Sequence, residues 1–174
     1  MTPYLNRFMT PYLNTFITYL ENLQRIVEKI DKHFKDDPSI LQARLADDMF
    51  PLVTQMEIAI GFTLRSCCPL AGKEVISFAS DEKSFNGIYA QINKTMDYLR
   101  SIELLDNSEK LVLEDMAGPA KVSLPAHQFI LCFTLPNFFF HLGMVYSIAR
   151  ANGVILTKGD FDGLHQYPPG FSFE

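Results

Sequence analysis

Asn137 and His141 stand four residues apart in a stretch that is otherwise apolar, so on a helix they share one face. The same face passes Met144, Val145 and Ile148. An amide and an imidazole among aliphatic side chains must find partners, or cost ~1–3 kcal/mol per unsatisfied group. Three roles suit such a pair: hydrogen-bonding to a neighbouring helix to fix packing, lining an internal polar pocket, or holding a metal. A first-row metal ordinarily takes three protein ligands, and His33, His127 and His165 have no ligand spacing to His141. Asp48 and Gln55 are seven residues apart and share a face of an earlier helix. Asp48 suits a helix cap. Gln55 lies between Leu52 and Ala59, and reaches Asn137 or His141 if the second and fourth helices pack together. With Tyr146, a further polar group in the apolar stretch, these residues make up the candidate pocket: Asp48, Gln55, Asn137, His141 and Tyr146.

Other site signatures are missing. There is no Gly-rich phosphate loop, no G-x-S-x-G and no H-E-x-x-H. Asp160 and Asp162 open like a calcium loop, but Gly163 falls at the wrong position and no later Glu is correctly placed. Cys67, Cys68 and Cys132 form no C-x-x-C, and an odd number without a framework suits a reducing compartment. No apolar signal segment precedes Thr15, and the expected location is the cytoplasm. Lys plus Arg number 15 against 20 Asp plus Glu, net −5, which argues against a nucleic-acid partner.

The elements that must position these residues read as helices. The 174 residues fit one domain. Leu13, Phe16, Ile17, Leu20, Leu23, Val27, Ile30 and Phe34 recur at helical steps, which predicts a first helix over 11–34 with Thr10 as its cap. Leu52, Val53, Met56, Ala59, Ile60, Thr63 and Leu64 predict a second over 48–68, capped by Asp48. Phe85, Ile88, Ile92, Met96, Leu99 and Ile102 predict a third over 81–101, capped by Ser80. Residues 109–133 change character. The runs at 111–113 and 129–133 are β-like, and Ala117-Gly-Pro is turn chemistry, so a hairpin-like insertion is expected.

Between Lys121 and Arg150 no residue is charged. This gap of 28 positions is either a membrane span or the inside of a globular domain. Pro136 is poorly placed in mid-helix and reads as the start of a fourth helix over 136–151. That leaves a helical half of about 16 residues, or ~24 Å, short of a ~30 Å hydrocarbon core. The expectation is therefore no membrane span, but a central helix buried on most sides. Phe138, Phe139 and Phe140 point around it at about 100° steps.

Residues 1–8 and 9–16 read MTPYLNRF and MTPYLNTF. Eight residues turn a helix through about 800°, so both copies cannot supply one core face. The first copy is expected to be a duplicated extension, with Met9 as an alternative start. A bundle domain over 9–163 and an extended tail over 164–174 follow.

The helix order, Leu45-Ala-Asp-Asp-Met-Phe-Pro-Leu-Val-Thr-Gln55, Leu135-Pro-Asn-Phe-Phe-Phe-His141, Arg150-Ala-Asn-Gly-Val154 and Lys158-Gly-Asp-Phe161 together resemble the DinB/YfiT-like four-helix superfamily. Within it, the chain is most similar to an uncharacterised, domain-of-unknown-function branch. The resemblance implies a mainly α fold, a DinB/YfiT-like four-helix bundle with a small β-hairpin-like insertion between helices three and four. It also implies a divalent-metal site of three His, one on the second helix and an H-x-x-x-H pair on the fourth. Counting back from Gly153, Asn137 falls on the first position of that pair and His141 on the second. No His lies between Ala43 and Cys68, so His141 alone is retained. The expected function is a four-helix protein with an internal polar pocket for a small apolar ligand, without a complete metal site. The alternative is a metal-dependent thiol S-transferase or isomerase, with zinc or nickel on His141 and oxygen ligands from Asn137 and Asp48 or Gln55. A third reading is a homodimerisation module built on a self-complementary helix face.

Overall fold

The computed structural model describes residues 9–35, 37–168 and 170–171. The first octapeptide copy lies outside the described residues. Helix α1 (Thr10–Phe34) buries Phe16, Leu20, Leu23, Val27 and Ile30, and exposes Arg25, Glu28 and Lys32, as its periodicity requires. Its cap residue is Met9 rather than Thr10, and no side chain caps it. The buried Met9 side chain joins the core instead.

Helix α2 (Leu52–Leu70) starts later than the expected Asp48. Proline pushes the residue before it out of the helical region, so Phe50 cannot join a helix that begins at Pro51. Asp48 is left on an exposed turn and does not cap α2. Helix α3 (Phe85–Ser101) also starts late, with Ser84 and not Ser80 as its cap. Ser84 Oγ accepts the Gly87 N–H at 3.0 Å. A Cβ at residue 87 would stand 2.6 Å from the Glu82 carbonyl oxygen, so only glycine lets the preceding turn close over the helix start.

Strands β1 (Val112–Ala117) and β2 (Ala120–Pro125) form an antiparallel hairpin, paired from Ala117↔Ala120 out to Val112↔Pro125. Gly118-Pro119 makes the two-residue turn, with Gly118 at φ +59°, where glycine is favoured. Arg65 of α2 holds the hairpin down: its Nε donates to Asp115 Oδ2 at 2.6 Å and its Nη2 to the Met116 carbonyl at 2.9 Å.

Residues 129–133 are helical rather than β, and the expected α-helix, Leu135–Ala151 with Pro136 in its first turn, continues directly from them. Helix α4 (Ala126–Ala151) runs through both as one element of 26 residues. Its second turn, Ile130–Thr134, is a π turn, in which the Leu135 N–H reaches back five residues to the Ile130 carbonyl. Proline lacks an N–H, and its ring collides with the carbonyl four residues earlier. The wider π turn relieves that collision and carries the helix past Pro136. The 129–133 run shows a helical burial pattern: Phe129, Ile130 and Phe133 are buried while Leu131 and Cys132 are exposed.

The short-helix argument against a membrane span therefore does not hold. At 1.5 Å per residue α4 is about 39 Å long, and by length and composition it is the one described helix that passes for a span. It packs along α2 and contributes Phe129, Phe138, Leu142, Val145 and Ile148 to the core, as a core helix does. Nor is it buried on every side: Phe138 is fully buried, Phe139 half-buried, and Phe140 is 53% exposed.

The four long helices close in a ring. α1 lies beside α3, α3 beside α2, α2 beside α4, and α4 returns to α1 through the Phe16–Phe138 contact. The fold is thus mainly α, a four-helix bundle with a small hairpin between the third and fourth helices. A short helix α5 (Lys158–Asp162), begun by a capping box of Thr157 and Asp160, docks on α1. Lys29 pairs with Asp160 at 2.6 Å, and Asn22 Nδ2 donates to the Phe161 carbonyl at 3.0 Å. Asn22 is buried and also accepts from Arg25. Asn22→Ala is expected to release this segment by about 1–3 kcal/mol, a roughly 5- to 150-fold increase in local opening. Hydrogen exchange at residues 154–163 reads it. Unchanged exchange would mean that Lys29 and the Phe161 ring hold the segment alone.

Candidate functional site

The α2–α4 contact brings Gln55 and His141 together. They are 86 positions apart in sequence, and Gln55 Oε1 meets His141 Nδ1 at 2.6 Å. Gln55 Nε2 donates to the Phe50 carbonyl at 3.2 Å, which leaves Oε1 as the acceptor. Nδ1 therefore carries the ring proton, and Nε2 carries the lone pair. A second polar bridge crosses the same seam, between the buried hydroxyls of Ser66 and Thr134 at 2.6 Å. The two bridges run in opposite chain order, so the helices are antiparallel, and together they pin their register.

His141 is nearly buried, at 9% exposure. Among the described residues the ring's hydrogen bond is the one through Nδ1 to Gln55, and Nε2 has none. Burial, and after it the Arg65 guanidinium, hold the imidazole below its ordinary pKa. The ring is thus neutral at neutral pH. It stacks on Phe62 at 5.9 Å and meets the edge of Phe140 at 5.2 Å. Phe62 in turn carries the Arg65 guanidinium over its ring at 4.2 Å and packs against Phe133 at 5.7 Å.

The other residues expected here lie elsewhere. Asn137 is one turn before His141, but its amide donates to the Phe133 carbonyl of its own helix at 2.7 Å. Asp48 is exposed on the turn before α2. Tyr146 is five residues past His141, a rotation of about 140° on the helix. Its hydroxyl donates to the Leu156 carbonyl at 3.3 Å and its ring packs on Phe161, on the side of α4 facing the docked segment. Phe62, Arg65, Ser66 and Thr134 were missed. Ser66 and Thr134 carry a signal of the kind that marked Gln55, a polar side chain in an apolar run. Arg65 carries none.

Of the three His that the resemblance implies, His141 is the one this chain has. Gln55 accepts from one imidazole nitrogen, the Asn137 amide nitrogen donates within its own helix, and Asp48 is exposed on the turn before α2. Among the described residues no three His, Cys, Asp or Glu side chains group closely enough to hold a metal ion. What remains is one neutral imidazole nitrogen in an aromatic setting, able to accept a hydrogen bond or a proton.

Comparison with known proteins agrees with the fold. Residues 9–162 match the family described as a domain of unknown function, DUF1993. No curated protein matches the chain. The crystal structure of a DinB family member from Shewanella denitrificans superposes with a TM-score of 0.78 at 25% identity, covering 90% of this chain and 92% of that one.

Proposed function

The chain belongs to the DUF1993 family, with a DinB-like fold, and from that premise we propose that it binds a small, largely apolar ligand without a metal ion. His141 Nε2 is the acceptor for a hydrogen-bond donor on that ligand, beside the Phe62 and Phe140 rings. The observation that carries this reading is the Gln55 clamp. It fixes the Nδ1–H tautomer and leaves Nε2 free, and depressed basicity keeps that nitrogen an acceptor at neutral pH. A ligand nitrogen or oxygen donor would satisfy it, and aromatic neighbours suit a flat apolar body. The negative net charge disfavours polyanionic partners, and the free cysteines suit a cytoplasmic setting.

Imidazole NMR with matched probes tests it. Millimolar phenol, which has a donor, is expected to shift the His141 Nε2 resonance, toluene is expected to leave it unchanged, and His141→Phe abolishes the response. Equal response to both probes, or none to phenol, would overturn the reading. Metal analysis of protein grown with added zinc and nickel is expected to find less than stoichiometric metal. One equivalent of metal, lost in His141→Ala, would replace this reading with the metal-dependent transferase or isomerase.

A further inference from the structure

Arg65 is used along one edge only. A guanidinium carries five N–H donors in a planar fork. Nε donates to Asp115 Oδ2 at 2.6 Å and Nη2 to the Met116 carbonyl at 2.9 Å, so the hairpin holds the edge formed by those two nitrogens. Asp115 is itself fixed, because its Oδ1 accepts the Met116 N–H at 2.7 Å. Among the described residues Nη1 has no hydrogen-bond or ion-pair partner, and Nη2 has only the one. Their remaining N–H groups form the other edge of the fork, on a side chain that is 29% exposed. Phe62 lies beneath, with its ring centre 4.2 Å from the guanidinium carbon. The guanidinium is thus held from below and along one edge, and its second edge is oriented but unused.

The same phenylalanine carries His141. The imidazole stacks on Phe62 with the ring centres 5.9 Å apart and the planes 20° apart, and Nε2 is the nitrogen that Gln55 leaves unbonded. Imidazole and guanidinium therefore share one aromatic neighbour, and at 5.9 Å and 4.2 Å from its centre they stand at most about 10 Å apart. The charge of Arg65 is felt at the imidazole, where it adds to the burial that depresses the pKa. One of the two groups accepts a hydrogen bond and the other donates. A single aromatic ring with a polar group at each end is a body of matching length. The open edge of the fork suits two oxygens in one plane, which is the geometry of a carboxylate. Charge limits the ligand to a monoanion. Asp115 already balances the guanidinium, and residues 122–149, which hold nearly all of α4, contain no Lys or Arg. A phosphate dianion would share one guanidinium with a carboxylate and find no second cation on α4.

We infer that Arg65 is the second recognition group of this site, and that the ligand is a small aromatic carboxylic acid with a hydroxyl donor at its far end. The carboxylate pairs with the open edge of Arg65 through two hydrogen bonds, and the hydroxyl donates to His141 Nε2. The His141 half rests on the ligand-binding reading above. The Arg65 half rests on the unused edge and stands without it.

Titration of the full chain with phenol, benzoate, para-hydroxybenzoate and para-hydroxybenzamide, followed by NMR of the His141 and Phe62 rings, tests it. Para-hydroxybenzoate is expected to bind at least ~10-fold tighter than phenol, the gain from a charge-assisted bidentate pair. Para-hydroxybenzamide has the same shape without the charge and is expected to fall between the two. Arg65→Lys keeps the charge, loses the fork and is expected to lose the gain. Arg65 also anchors the hairpin, so Asp115→Asn is the companion variant. It weakens the same anchor but leaves the fork and removes the competing carboxylate, and is expected to keep the gain or enlarge it. Equal affinity for para-hydroxybenzoate and phenol would overturn the inference and leave the His141 reading standing. A gain that survives Arg65→Lys, or that Asp115→Asn abolishes, would overturn it as well. Benzoate has no donor and is expected to bind wild type and His141→Phe alike, but not Arg65→Lys. That benzoate result with phenol silent would support Arg65 and overturn the His141 reading alone.

Discussion

Phe138→Ala is expected to destabilise the bundle by about 3–5 kcal/mol. Phe138 has no exposed surface and closes the ring of helices between α4 and α1. Its ring meets Phe16 edge-on at 5.4 Å, Phe139 at 5.3 Å and Tyr19 at 6.4 Å. Truncation removes the buried ring and leaves a cavity that three rigid aromatics cannot collapse to fill. Phe138→Leu keeps part of that volume and is expected to fall between wild type and Phe138→Ala. Ile155→Ala, at a site 78% exposed, is expected to stay within about 0.5 kcal/mol. Urea denaturation of the variants checks the series. A Phe138→Ala cost below about 1 kcal/mol would place the contact between α1 and α4 outside the cooperative core.

Gln55→Leu is expected to cost about 1–3 kcal/mol at pH 8, although leucine is the more apolar residue. Gln55 is 1% exposed and serves two groups, the Phe50 carbonyl and His141 Nδ1. Leucine leaves a buried imidazole N–H without an acceptor. Adding His141→Phe removes that orphan, so the double variant is expected to recover part of the loss, and a double-mutant cycle isolates the pair. The pH dependence follows from the depressed pKa of His141. Above about 6.5 the imidazole is neutral in both folded and unfolded chains and pH has no effect through it. Between 6.5 and the lower folded value the unfolded chain binds the proton and the folded chain does not. Stability is therefore lost as pH falls through that window, and no more is lost below it. His141→Phe is expected to remove this acid-side slope. Gln55→Glu places a carboxylate against Nδ1, raises the imidazole pKa and is expected to reverse the slope. An unchanged slope in His141→Phe would assign the acid sensitivity to other groups.

Helix faces were the most legible part of the fold. Phe85, Ile88, Ile92, Met96 and Leu99 on α3, and Leu52, Met56, Ala59, Ile60 and Leu64 on α2, are all buried at the positions their spacing indicated. Side-chain period is a local property of the backbone, and a helix must turn its apolar stripe inward wherever it sits. Helix starts were read less well. Asp48 and Ser80 are good caps by type, but Pro51 and the close approach of the Glu82 carbonyl to Gly87 set the true starts. Several residues nearby could cap, and the one that does is chosen by how the incoming chain packs.

By itself, then, the sequence determined four amphipathic segments, a Gly-Pro hairpin turn and a long uncharged interval with Asn137 and His141 inside it. The tertiary structure decided what that interval is. Whether Pro136 begins a helix or is absorbed by a π turn depends on whether Phe129, Ile130 and Phe133 gain more by packing in the core than the irregular turn costs. That balance involves residues far away in the chain. The same holds for the polar groups. Spacing on α4 makes Asn137 and His141 equivalent candidates, and only the approach of α2 separates them, delivering Gln55 to one and leaving the other bonded to its own helix. A hydrogen bond acts over about 3 Å, whereas residue spacing specifies only a direction around a helix axis. Partner choice therefore waits for packing.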